Sequence, residues 1–133
     1  KMLRRAKELC KDINPSASFY EMESERLTFP PESFDTVVDT FGLCSVENPV
    51  DMLEEMARMC KKDGKILLLE HGRSNYNWMS FVLDKYAAKH AKRWGCVWNR
   101  DILDLIKQAN LEIVTSHRFH FNTTHYIVAK PRK

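Results

Sequence analysis

The sequence predicts an α/β layered domain, and three observations carry that reading. Two β-rich apolar runs at 34–41 and 65–70 flank an amphipathic segment at 48–62, the pattern of a βαβ crossover between parallel strands. Two more amphipathic segments follow at 76–93 and 100–109. The chain then closes on two alternating runs, 111–121 and 124–129, joined by Asn122-Thr123 as an antiparallel pair. At 133 residues there is room for one domain, 1–133, around one core.

Each element has a local reason. Residues 1–13 read as a helix with Leu3, Ala6, Leu9, Cys10 and Ile13 on one stripe, stopped by Asn14-Pro15. A short strand is expected at 18–22 around Phe19 and Tyr20, then a polar loop through Glu21, Glu23 and Glu25. Pro30-Pro31 turns the chain into the 34–41 strand. Asn48 reads as the N-cap of the next helix with Pro49 at its first position, and Val50, Leu53, Ala57 and Cys60 as its buried stripe. Gly64 is expected to release that helix into the 65–70 strand. Gly95 should end the 76–93 helix, Asn99 should cap the next one, and Asn110 should stop it in a left-handed conformation.

Composition excludes several classes. An apolar share of 44% and a charged share of 29% describe an ordinary folded domain. A net charge of +3, with no basic block, argues against a nucleic-acid partner. No apolar run is long enough to span a bilayer. Cys10, Cys44, Cys60 and Cys96 form no C-x-x-C pair, so they read as reduced structural thiols of an intracellular reducing compartment, and no metal is expected.

In open parallel sheets ligands sit beyond the carboxyl ends of the strands. Those ends hold Thr40, Phe41, Gly42, Leu43 and Cys44 in one case and Glu70, His71 and Gly72 in the other. A neutral imidazole at His71 suits proton removal, with loop orientation as the plainer role. The 76–93 helix mixes Trp78, Phe81 and Tyr86 with Lys85, Lys89, Lys92 and Arg93. That mixture suits packing over a pocket, and it also suits peripheral contact with a membrane surface.

The segments LTFPPESFDTVVDTFGLCSVENP, LEEMARMCKKDGKILLLEHGRS and GCVWNRD resemble the class I S-adenosylmethionine-dependent methyltransferases. Within them the likeness is to the UbiE-like branch and its small methyltransferase-like members, which include alkyl-thiol methyltransferases and a mitochondrial inner-membrane protein. The resemblance implies a Rossmann-like methyltransferase sheet. Residues 1–133 would be its C-terminal part, with parallel strands and a terminal antiparallel pair. With four glycines and no G-x-G, the first strands and the glycine-rich loop are expected in an N-terminal half of the same protein. The chain alone is then expected to be inactive.

The same resemblance implies S-adenosylmethionine as cofactor. Glu23 and Ser24 would meet its adenine, against the plainer reading of a solvated acidic loop, and Thr40, Phe41 and Gly42 would lie against its sulfonium. Leu43, Glu70, Trp78 and Phe81 would face the acceptor, and His71 would be the catalytic base. No Asn/Asp-Pro-Pro-Tyr run follows the 34–41 strand, which argues against a nucleobase or glutamine acceptor. A small or lipid-like acceptor is expected: a thiol, a quinol or a lipid headgroup. Arg100 is an alternative contact for an anionic substrate. A mitochondrial or membrane-associated location follows from the relatives alone. A non-catalytic scaffold or assembly factor of an organelle is the second reading, decided by whether the upstream glycine-rich loop is intact.

Overall fold

The structure, a computed structural model, describes residues 1–133. Its elements in chain order are α1 (Met2–Cys10), β1 (Phe34–Thr40), α2 (Pro49–Met59), β2 (Cys60–His71), α3 (Asn77–Trp94), α4 (Ile102–Gln108), β3 (Leu111–Phe119) and β4 (Thr124–Pro131). The four strands form one sheet in the order β1-β2-β4-β3. β1 runs parallel to β2, whereas β4 is antiparallel to both β2 and β3. The expected parallel crossover and antiparallel terminal pair are both present.

Strand alternation sets the two faces. Along β2, Ile66, Leu68 and Glu70 are buried on one face, while Leu67, Leu69 and His71 occupy the other and are half-buried. The buried row joins Leu53 and Met56 of α2, Ile102 and Ile106 of α4, and Ile127 and Ala129 of β4 in one core. Glu70 therefore lies in an apolar row by register, and His71 points to the opposite side.

Several expected boundaries move, each for a physical reason. Residues 18–22 form no strand; they find no ladder, and Tyr20 instead packs edge-on against Phe29, whose ring meets Phe34 in turn. Asn48 makes no side-chain cap. The start of α2 is held from outside, since Glu25 Oε1 accepts from the Asn48 backbone N–H at 2.6 Å. Met52, Leu53, Met56 and Met59 are its buried residues, with Val50 and Ala57 at the edge of the core. Asp101, not Asn99, caps α4 by accepting from the Asp104 N–H. Asn99 instead donates to Asp84.

Gly64 does not release a helix. α2 ends at Met59, and β2 begins at Cys60 with a bulge opposite Phe34 and Thr36. A Cβ on Gly64 would come within 2.6 Å of Cys60 Sγ and 2.8 Å of the Asp35 carbonyl oxygen, so the position needs glycine for close approach. Gly95 and Asn110 do take left-handed φ values of 68° and 54° at the ends of α3 and α4. His120, Phe121 and Asn122, in the turn between β3 and β4, all have positive φ as well.

The two glycines separate two kinds of constraint. Gly64→Ala is expected to destabilise the domain by about 1–3 kcal/mol through overpacking. Gly95→Ala, with open space around it, is expected to cost about 1 kcal/mol from backbone conformation alone, and Gly95→Asn less. Urea melts read all three; equal midpoint shifts for the two alanine variants would rule out the close-approach role of Gly64.

Candidate functional site at the carboxyl ends of β1 and β2

β1 and β2 end side by side, and the loop after β1 folds back over the end of β2. Phe41 donates its N–H to the Leu69 carbonyl at 2.8 Å and adopts a φ of 56°. Its ring lies 4.2 Å from the His71 imidazole, tilted by 34°. Gly42 N–H donates to Glu70 Oε1 at 3.3 Å. A Cβ at Gly42 would come within 2.7 Å of either carboxylate oxygen of Asp39, so a larger residue there would have to displace that carboxylate.

Glu70 is fully buried. Burial pushes its carboxyl up to about 9, with the neighbouring Asp39 carboxyl as the next cause. Glu70 Oε2 and Asp39 Oδ2 are both buried without a partner. At neutral pH the pair therefore holds a proton on Glu70, much as two carboxyl groups in one site share one.

His71 opens onto a cavity of about 610 Å³ beneath α3, lined also by Met79, Val82, Leu83, His90 and Phe121. Burial, reinforced by the charges of His90 and His120, lowers the His71 pKa below the usual imidazole range. The ring is then neutral at pH 7 and free to accept a proton. The His90 ring stacks on Trp98 at 3.8 Å, and the Trp98 indole donates to the Leu83 carbonyl, which fixes this wall to α3.

A second cavity, about 310 Å³, runs along β1 and is lined by Ser24, Val38, Asp39, Met52 and neighbouring apolar groups. Its apolar walls and the hydroxyl of Ser24 suit a flat heteroaromatic ring with a polar edge. Glu23 is exposed next to it, in a tight turn whose backbone pairs Glu23 with Arg26. These features fit the adenine end of S-adenosylmethionine. Glu25 is committed to the start of α2.

Other expected residues lie elsewhere. Thr40 is exposed at the end of β1. Leu43 is fully buried in the core, and its carbonyl accepts from Arg100 at 2.5 Å. Neither Leu43 nor Glu70 presents a side chain to open space, because both point into the apolar layer. Trp78 and Phe81 are 58% and 69% exposed; Trp78 packs edge-on against Phe121, and neither lines the cavity beside His71. Packing of the α3 aromatic residues into a core is thus replaced by an outward-facing stripe. Arg100 is committed to backbone: its second nitrogen donates to the Val46 carbonyl at 2.8 Å. His125 is buried, with Nε2 3.3 Å from the Arg73 carbonyl oxygen.

The fold also assembles what the sequence left scattered. Cys96 Sγ lies 3.9 Å from His71 Nδ1. With Cys44, these side chains bring three ligating atoms within 4.8 Å of one another. Burial, followed by a hydrogen bond and charge interaction with Cys44, pushes the Cys96 thiol up to about 12. No signal in the chain order pointed to this grouping, because topology alone unites it.

The buried acid pair sets a pH dependence of stability. Glu70 is raised in the fold to about 9 from 4.5, so the folded state binds more protons than the unfolded one between those values, and stability falls as pH rises. His71 and His125 are lowered, so their contribution falls as pH drops through 6.5. From pH 7 to about 8.5 the Glu70 effect leads, worth roughly 1 kcal/mol per pH unit, and nearer pH 9 the raised Cys60 and Cys96 thiols push the same way. Glu70→Gln, which mimics the protonated form, is expected to flatten the decline between pH 7 and 9 in denaturant titrations. An undiminished slope would remove Glu70 as its source.

Comparison with known proteins identifies the family. The Methyltransferase domain family matches residues 1–68. The mitochondrial methyltransferase OMS1 of Saccharomyces cerevisiae is 44% identical over 97 residues, covering 73% of this chain and 21% of that protein. A phosphatidylethanolamine N-methyltransferase of Cereibacter sphaeroides is 38% identical over 72 residues, covering 53% and 36%. The ubiquinone/menaquinone biosynthesis C-methyltransferase UbiE of Pseudomonas aeruginosa is 34% identical over 83 residues, covering 62% and 32%. The chain thus spans between about a fifth and a third of these relatives. Among solved structures, a SAM-dependent methyltransferase of Methanosarcina mazei matches with a TM-score of 0.68 at 18% identity, covering 96% of this chain and 77% of that one. The [4+2]-cyclase SpnF matches with a TM-score of 0.75 at 13% identity, covering 97% and 62%. The chain belongs to the Methyltransferase domain family.

Proposed function

We propose that the protein to which residues 1–133 belong transfers a methyl group from S-adenosylmethionine to a small or lipid-like acceptor. The observation that carries this reading is the delivery of His71, at the carboxyl end of β2, into the apolar cavity beneath α3. When bound, S-adenosylmethionine supplies an electrophilic methyl group on a sulfonium sulfur. Ser24 and the cavity along β1 would receive its adenine, with Glu23 accepting from the exocyclic amine. Phe41 and Gly42 would wall the space between the two cavities. The remaining contacts to the methionine part and ribose would come from sequence outside 1–133, as the short coverage of the relatives suggests.

Transfer to a thiol or hydroxyl asks little of the protein beyond alignment, exclusion of water and removal of one proton. His71 would take that proton on its neutral ring. The apolar wall of Met79, Val82, Leu83 and Phe121 favours an acceptor with a hydrophobic body, and the named activities of the phospholipid and quinone relatives agree with such a class. The outward stripe of Trp78, Phe81 and Tyr86, together with Lys85, Lys89 and Arg93, would rest on a membrane surface that stores such acceptors. No helix is long and apolar enough to cross a membrane.

Two measurements on the full-length protein test this. Calorimetry should show S-adenosylmethionine binding that Glu23→Ala weakens by about tenfold; His71→Ala should leave that affinity unchanged and slow turnover by about a hundredfold or more. Unaltered turnover retires His71 as the base. Separately, flotation with anionic liposomes at low salt should be lost on combining Trp78→Ala with Phe81→Ala, and flotation unchanged by the double variant would exclude α3 as the contact.

A further inference from the structure

Three stretches of chain far apart in sequence meet at one point beside the His71 cavity. Cys44 lies in the loop after β1, His71 ends β2, and Cys96 follows the left-handed Gly95 that closes α3. Their meeting is built into the backbone. Val97 donates its N–H to the Cys44 carbonyl at 2.7 Å, which ties the two cysteine segments together. Arg100 donates to the carbonyls of Leu43 and Val46, on either side of Cys44. The imidazole is held against the Phe41 ring and sits on a strand paired on both sides.

We propose that Cys44, His71 and Cys96 form a binding site for a thiophilic divalent cation, zinc by its donor set, with a fourth position open to the cavity beneath α3. Two sulfurs and one imidazole nitrogen are a donor combination that zinc uses where it keeps one coordination position free. Tetrahedral bonds of about 2.3 Å to sulfur and 2.0–2.1 Å to nitrogen place such ligand atoms roughly 3.6–3.8 Å apart. The 3.9 Å between Cys96 Sγ and His71 Nδ1 is already close to that spacing. The group as a whole, within 4.8 Å, needs a contraction of about 1 Å or less, which side-chain rotation about χ1 can supply. The Cys44 thiol now donates to the Phe41 carbonyl at 3.3 Å. On binding, the two thiol protons leave to solvent, two thiolates neutralise the divalent charge, and the Arg100 guanidinium lies beside the loop that carries one of them.

The site deepens the function proposed above, because it shares His71 with it. A cation on Nδ1 leaves the other ring nitrogen protonated and donating, so the ring no longer accepts a proton. Zinc occupancy and methyl transfer then exclude each other, and zinc should inhibit turnover. That consequence rests on the reading of His71 as base; the site itself does not.

Cobalt(II) titration of the full-length protein, reduced and kept anaerobic, tests the site without reference to activity. A thiolate-to-cobalt charge-transfer band is expected, saturating at one cation per chain and displaced by zinc. Cys96→Ser should weaken cobalt binding by at least about tenfold. Should that variant fold poorly by circular dichroism, His71→Gln reads the same loss, with the band retained but its affinity reduced. Absence of the band from the reduced wild-type protein overturns the proposal, as does a band of equal strength and affinity in Cys96→Ser and His71→Gln. If mass spectrometry finds a Cys44–Cys96 disulfide and no cobalt binding follows its reduction, the pair is a redox couple and the cation site is rejected. A cobalt site in a protein that transfers no methyl group would uphold the site and remove only the inhibitory consequence.

Discussion

A carboxyl group buried in an apolar row, with no cation beside it, is the constraint around which the two strand ends are arranged. Register puts Glu70 next in line after Ile66 and Leu68, where a charged carboxylate would be strongly disfavoured. The fold answers by keeping the group protonated and by bending the loop after β1 over it, so that the Gly42 N–H meets one oxygen. Asp39, one strand away, pushes the Glu70 carboxyl up further. The turn that this demands gives Phe41 its left-handed backbone and sends its ring against His71. One buried acid thus sets the position of an aromatic neighbour of the imidazole without touching the imidazole.

Around that centre the structure divides labour between two faces of β2. The face bearing Ile66, Leu68 and Glu70 packs on α2 and α4 and supplies stability. The face bearing His71 looks toward α3, which is held to the body by polar contacts: Arg73 with Asp84, Ser80 with the Ser74 carbonyl, and Trp98 with the Leu83 carbonyl. A wall fixed by a few hydrogen bonds beside a densely packed layer is a reasonable way to keep a cavity open, since the apolar core would otherwise close it.

Much of the architecture was legible in the sequence because it depends on local chemistry. Pro49 at the first position of α2, Gly95 after α3 and Asn110 after α4 stand where the backbone requires them. The period-2 alternation of β2 also puts Glu70 inside, two residues after Leu68. What escaped was non-local. Glu25 replaces the Asn48 cap from across the loop, and Gly64 is required by the approach of Asp35 and Cys60. The aromatic residues of α3 share one side, as spacing implied, but spacing carries no sign for inside or outside; their exposure follows from what the sheet leaves uncovered. The grouping of Cys44, His71 and Cys96 depends on three connections closing at once, which no window of sequence contains.

The turn between β3 and β4 gives the cavity an uneven rim. His120, Phe121 and Asn122 each hold a left-handed backbone without being glycine, at roughly 1 kcal/mol or more apiece. His120 and Phe121 also line the cavity, so part of the free energy that closes the ladder is spent on their conformation. Local opening there releases that strain, whereas opening at β2 would break pairing on both sides. The β3–β4 turn is thus a strained edge of the cavity, tied down by the Ser74 hydroxyl on the Phe121 carbonyl and by the Gly72 N–H on the Thr123 carbonyl.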